Sequence, residues 1–121
     1  MNYLLDTHIL IWWSENSPKL NPKFKSAISN PKNKIQISIA SLWEMGIKIS
    51  IGKFRLKTDL ETLSKQYDFE IIPIKLEHIL TLLKIPHHHK DPFDRMLVSQ
   101  AKSEKLTLLT SDPKVQAYFK K

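Results

Sequence analysis

The chain has 121 residues, 41% of them hydrophobic and 26% charged, which is the size and composition of one folded domain spanning residues 1 to 121. The only glycines are Gly46 and Gly52, which excludes a phosphate cradle of clustered glycines, and the lack of cysteine excludes disulfides, thiolate metal sites and Cys nucleophiles. Basic residues outnumber acidic ones 19 to 12, all but Arg55 and Arg95 being Lys, and the net charge of +7 favours a polyanionic partner, nucleic acid before anionic membrane.

In chain order, Asn2 to Leu5 predicts a short buried strand that Asp6 ends, and Thr7 to Trp13 a short helix. Asn21-Pro22 pairs a capping side chain with Pro at the first helical position and opens a helix to about Asn30. Ile35 to Ile39 is apolar and β-branched at alternate positions, a strand. Ala40 to Ile51 has helical spacing and stops at Gly52. Thr58 with Glu61 forms a capping box for a helix to about Tyr67. Phe69 to Ile74 predicts a strand, and Lys75 to Lys84 a helix with Leu76, Ile79, Leu80 and Leu83 on one face. Asp91-Pro92 starts a helix to about Glu104. Leu106 to Thr110 is the last strand, and Asp112-Pro113 caps a final short helix. Strands alternating with helices predict a three-layer α/β sandwich around a parallel sheet. No apolar run approaches the about 20 residues of a spanning helix. The N-terminus lacks a basic segment, and Asp6 and His8 interrupt its apolar stretch, so a cytoplasmic protein is expected.

Four carboxylates occupy telling positions. Asp6 and Asp112 follow the first and last strands, at the carboxyl edge of a parallel sheet, where ligands collect. Glu44 shares a helix face with Ala40, Ile47 and Ile51, and Asp94 one with Leu97, Val98 and Ala101, so both point inward or to a cleft edge. Carboxylates converging in low dielectric repel one another unless a cation lies between them. All-oxygen donors select hard cations, Mg²⁺ or Mn²⁺, which activate water and stabilise the charge of a phosphoryl transition state. A basic protein with an acidic metal pocket points to a nuclease. Each acid also has a simpler reading. Asp91 and Asp112 precede Pro and cap helices, Asp94 gains from a helix dipole, and Glu44 has Lys48 at i+4 for a surface ion pair. Asp6 has the fewest such explanations.

Four segments carry a family resemblance: Leu4-Leu5-Asp6-Thr7-His8, Ser41-Leu42-Trp43-Glu44-Met45, His89-Lys90-Asp91-Pro92-Phe93-Asp94-Arg95-Met96-Leu97 and Leu108-Leu109-Thr110-Ser111-Asp112. In that order, and over essentially the whole chain, they resemble a PIN domain, specifically the toxin ribonucleases of VapBC-type toxin–antitoxin pairs. The resemblance implies an α/β/α sandwich with a central parallel sheet of about four to five strands, Mg²⁺- or Mn²⁺-dependent hydrolysis of RNA, a cognate antitoxin and a homodimer. It assigns the metal-binding and catalytic acids to Asp6, Glu44, Asp94 and Asp112, the last position falling on Asp112 or on the Thr110 and Ser111 hydroxyls beside it. Asp91 and Thr7 fall to a capping or supporting role.

Other residues bear on the same reading. Lys48, Lys53, Arg55 and Lys57 form the densest basic stretch near Glu44 and, with Lys90 and Arg95, are candidates for contact with RNA phosphates, the alternatives being a solvated surface for the stretch and, for Arg95, pairing with an acid such as Asp91. The role of His87, His88 and His89 is open, since adjacent histidines cannot all face one ion. Trp43 and one of Trp12 and Trp13 are expected in the core by helical spacing. Apolar residues around Trp12 and from Ile47 to Ile51 exceed what one core face needs and would serve an interface. The alternative function is a non-catalytic nucleic-acid-binding or interaction module whose acids are caps and ion pairs. A phosphatase with an aspartyl nucleophile would want Asp at position 8, which is His, and no Gly-x-Ser-x-Gly elbow supports a serine hydrolase.

Overall fold

The computed structural model describes residues 1–120. Four parallel strands, β1 (Asn2–Leu5), β2 (Lys34–Ser38), β3 (Glu70–Ile72) and β4 (Thr107–Leu109), lie side by side in the order β3-β2-β1-β4. Alternation along the strands sends side chains to two cores. On one face Leu5, Ile35, Ile37 and Leu109 pack under α1 (Thr7–Ser14), α2 (Pro22–Ser29), α3 (Ile39–Ser50) and α4 (Leu60–Gln66). On the other, Leu4, Ile72 and Leu108 pack under α6 (Pro92–Glu104) and α7 (Pro113–Gln116), with Ile85 reaching in from the turn after α5 (Leu76–Leu82). The result is the expected α/β/α sandwich, with four strands. Among the described residues no helix is long and apolar enough to cross a membrane.

The topology makes the site. From β1 the chain steps to β2 and β3 on one side; β4 then returns to the free edge of β1. The adjacent strands β1 and β4 therefore send their following segments to opposite layers, α1 to one and α7 to the other. A crevice opens between those diverging chains, at the carboxyl ends of the strands. The Asp6 N–H donates to the Leu109 carbonyl at 3.0 Å, so the β1–β4 ladder holds up to its mouth.

Local boundaries shift for identifiable reasons. Pro73 cuts β3 to three residues, because it cannot donate to the ladder. Ile39 starts α3 rather than ending β2, since the Ser38 hydroxyl accepts the Ala40 N–H and caps the helix. The cap of α4 is Asp59, which accepts the Thr62 N–H at 2.7 Å, one position after the expected Thr58. Helix α3 ends as expected: Gly52 has φ +72°, its N–H donates to the Ile49 carbonyl, and the Lys53 N–H donates to that of Lys48.

Two helices place large apolar residues in solvent. The stripe Leu76, Ile79, Leu80 and Leu83 faces solvent, with Leu76 70% and Leu83 74% exposed. Helix α5 turns its polar side inward instead: His78 is fully buried, its Nδ1 accepts the Lys75 N–H, and its Nε2 bonds Glu104 on α6 at 2.7 Å. Trp43 is not core either. It is 60% exposed and packs edge-on against Phe93 at 5.1 Å, because the inward face of α3 is already filled by Ala40, Ser41, Glu44 and Met45. Trp13 is the tryptophan that joins an aromatic cluster, with Tyr67 and Phe69.

Candidate active site

Asp6, the residue after β1, is buried and serves as the N-cap of α1. Its Oδ2 accepts the Thr110 hydroxyl at 2.5 Å and its Oδ1 the His8 N–H at 3.4 Å. Burial pushes its carboxyl above the usual range and the Asp112 charge adds to this, against the opposing Thr110 bond and the nearby His8. Thr110 is buried behind the acids: besides donating to Asp6, its Oγ1 accepts the Asp112 N–H at 3.1 Å. Asp112 in turn caps α7, accepting the Lys114 N–H at 2.9 Å. Thr7 spends its hydroxyl on Ser41 at 2.8 Å, locking the start of α1 to that of α3. Ser111 is exposed and lines a small cavity with Asp6 and Asp112.

Glu44 comes in on α3 and is 6% exposed. Its Oε2 pairs with Lys48 at 3.1 Å, the expected i,i+4 contact, but its Oε1 is buried with no hydrogen-bond partner. Asp94 comes in on the first turn of α6, anchored by the buried Leu97, Val98 and Ala101 beneath it. Its carboxyl is pushed up to about 6, first by burial and then by the charges of Asp6, Asp91 and Glu44, with His89 opposing. Asp91 is the cap of α6, its Oδ1 accepting the N–H groups of Phe93 at 2.9 Å and Asp94 at 3.0 Å.

His89 is the residue the sequence left without a role. Its Nδ1 accepts the Lys90 N–H, so the proton sits on Nε2, which donates to Asp94 at 2.9 Å and lies 3.5 Å from Asp112. It thus joins the acid of α6 to the acid that caps α7. The signal was its place in the His run just before the Asp-Pro turn, which folds the chain back so that a loop residue meets the helix it precedes. His87 and His88 are exposed, with His88 edge-on to Tyr118 at 4.8 Å.

Arg95 is a correction. Expected among the RNA-facing residues, it is buried, and its guanidinium donates to the carbonyls of Pro86 and Leu82 and to the Tyr118 hydroxyl at 2.8, 3.3 and 3.0 Å. These bonds tie the turn after α5 to α6 and the C-terminal segment, so Arg95 has no free face for phosphate. Lys48 is occupied by Glu44, whereas Lys53, Arg55, Lys57 and Lys90 are exposed.

The donor set fits a hard divalent cation. All four acids offer carboxylate oxygens, one of them buried and unpaired, and two of the carboxyls are pushed up by crowding and burial. Among the described residues, only Lys48 and His89 come within ion-pair distance of these acids, and the His89 Nδ1 is taken up by the Lys90 N–H. A second cluster, Glu77, His78 and Glu104, does not fit: both His78 nitrogens are already used and the Lys75 ammonium lies 3.7 Å from Glu104.

A family model described as "PIN domain" matches residues 3–120. The chain belongs to the PIN-domain family. No curated protein matches it in sequence. Solved structures that share the PIN fold with it include VapBC2 from Rickettsia felis bound to a DNA fragment from their promoter, 20% identical with a TM-score of 0.71, covering 98% of this chain and 93% of that one. VapBC-1 from nontypeable Haemophilus influenzae is 20% identical with a TM-score of 0.69 over 98% and 92% of the two chains. FitAcB from Neisseria gonorrhoeae is 15% identical with a TM-score of 0.65 over 96% and 91%.

The raised Asp94 carboxyl sets a pH-dependent test. Without metal, the folded PIN domain keeps the Asp94 proton to about 6, while the unfolded chain releases it near 3.8. Between those values the folded state binds more protons, so this group's contribution to stability falls as pH rises and stays unfavourable at pH 7. Asp94→Asn therefore raises metal-free stability at pH 7 by on the order of 2 kcal/mol, and the gain disappears below about pH 4. Thermal denaturation of both proteins in chelator, from pH 4 to pH 7, checks this; a variant less stable at every pH would contradict it.

Proposed function

We propose that the protein is a metal-dependent endoribonuclease that cuts RNA phosphodiester bonds, and that it is the toxin of a toxin–antitoxin pair. The observation that carries this reading is the buried, unpartnered Glu44 Oε1 in the electrostatic neighbourhood of Asp94 and Asp6. Leaving a buried charged acceptor unsatisfied costs several kcal/mol, which a structural role does not recover and a bound cation does. Asp6, Glu44 and Asp94 would hold Mg²⁺ or Mn²⁺, with Asp112 assisting. A cation held there supplies charge neutralisation at the phosphate and makes water a better nucleophile. The chain's own residues do the rest. Thr110 and the His8 N–H orient Asp6, His89 spans Asp94 and Asp112, and Lys53, Arg55, Lys57 and Lys90 offer cations to the RNA backbone. No protein nucleophile is required.

The alternative, a non-catalytic nucleic-acid-binding or interaction module, draws on the cap bonds made by Asp6, Asp91 and Asp112 and on the Glu44–Lys48 pair. It leaves Glu44 Oε1 and the mutual repulsion around Asp94 without a purpose. The toxin assignment and the cognate antitoxin rest on the similarity to VapBC and FitAcB proteins. Homodimerisation joins them, with the Leu76, Ile79, Leu80 and Leu83 stripe of α5 as the surface we favour. Two such stripes packed antiparallel about a two-fold axis would be self-complementary.

Two experiments test these statements. The wild-type protein should cleave single-stranded RNA with Mg²⁺ or Mn²⁺ and lose that cleavage in chelator, and Asp6→Asn should be slower by about 100-fold or more with its fold intact. Cleavage that survives chelation, or an active Asp6→Asn, contradicts the metal-centre reading. By light scattering the wild type should have the mass of a dimer and Leu80→Glu that of a monomer; a dimeric Leu80→Glu would remove α5 from the interface.

A further inference from the structure

Two concavities flank the acids, and both include His8 and Trp12. The smaller, about 220 Å³, adds Asp6, Ser111 and Asp112. The larger, about 290 Å³, runs the other way to Thr7 and Glu44 and is lined by the apolar side chains of Ile11, Met45 and Phe54. Glu15, Lys48 and Lys53 also line this larger cavity; Lys48 is paired with Glu44, which leaves the exposed Lys53 as the cation on its border. Trp12 is half-buried: it packs on the core yet keeps part of its indole in both concavities. The exposed His8 ring is 5.9 Å from it and tilted by 40°, leaving a donor and an acceptor free beside the indole.

This combination is chemically specific. An aromatic surface, apolar side chains and the Lys53 cation, beside the acids of the site, match a nucleotide: a flat base to stack and a phosphate to neutralise. The volume admits one base with its sugar.

We infer that His8 and Trp12 form a base subsite in which the nucleotide next to the cleaved phosphate stacks on Trp12, with its own phosphate toward Lys53. This rests on the ribonuclease reading above for the word "cleaved", but the binding itself does not require catalysis. The subsite gives the enzyme a way to choose its cut by the base beside it: stacking accepts any base, and the polar edge offered to His8 discriminates among them.

The test uses the three tryptophans, Trp12, Trp13 and Trp43, as separate reporters in the full-length protein. With indole nitrogens labelled and the Trp12 signal assigned from Trp12→Phe, the protein is titrated with adenosine 5′-monophosphate and, in parallel, with ribose 5-phosphate. Adenosine 5′-monophosphate should move the Trp12 indole signal saturably, while ribose 5-phosphate, which lacks a base, should leave it nearly still. The signals of Trp13, in its aromatic cluster, and Trp43, exposed on α3, should not follow. If Trp12 stays still with both ligands, if both move it alike, or if exposed Trp43 moves as much, the subsite is wrong and the concavity belongs to another class of ligand. An RNA carrying one abasic nucleotide supplies the catalytic counterpart. Placed beside the cut site it should slow wild-type cleavage by about 10-fold to 100-fold, with the penalty kept in Trp12→Phe and lost in Trp12→Leu. An inactive wild type facing intact RNA would overturn the ribonuclease reading and leave the nucleotide titration to decide the subsite.

Discussion

Everything at the working end of this PIN domain follows from electrostatic repulsion held in place by packing. Asp6, Glu44 and Asp94 arrive on three different elements, β1, α3 and α6, each fixed by buried apolar neighbours that leave the acid little freedom to withdraw. Water cannot reach them well enough to screen their charges, so the Asp94 carboxyl is raised to about 6 and that of Asp6 is raised as well. A fold that served only itself would relax this by a single substitution to Asn or Gln. That it is built this way is physically sensible if a divalent cation completes the centre.

The scaffold achieves this through strand order more than through any motif. Because β4 returns to the edge of β1, the segments leaving these two strands diverge into opposite layers, and Asp6 and Asp112 are brought to the same crevice although they are distant in sequence. The buried hydroxyl of Thr110 then spans them, donating to Asp6 and accepting from the Asp112 backbone. Asp112 combines roles: its Oδ1 caps α7, and its Oδ2 faces His89. Capping and site chemistry are therefore not exclusive readings of a carboxylate, since each oxygen has its own partner.

What could be read from the sequence was whatever depends on near neighbours. The Pro-marked caps at Asn21, Asp91 and Asp112, the glycine stop at Gly52 and the strand before Asp6 are short-range features, and the structure has them. The inward set of Asp94 was legible because Leu97, Val98 and Ala101 repeat beneath it. What failed depends on tertiary partners. The α5 leucines were legible as one face, but not which way it turns: α6 offers Glu104 to a buried His78, and the helix rotates the leucines outward. Arg95 looked like a phosphate contact because it follows an acid of the site; three oxygen acceptors supplied by distant segments bury it instead. His89 reaches the centre through a chain reversal that no periodicity encodes.

The most direct measurement is the thermal stability of the wild-type protein and of Glu44→Gln as Mg²⁺ or Mn²⁺ is added to chelator-treated samples. Binding to the folded state alone raises stability by about 2.7 kcal/mol when the free ion is 100 times its dissociation constant. The wild type should therefore melt at progressively higher temperature as the ion is added. Glu44→Gln, which keeps the shape of the side chain but not its charge, should need far more ion for the same rise. A wild type whose melting temperature ignores both ions, or a Glu44→Gln that responds equally, would contradict a metal centre built on these acids.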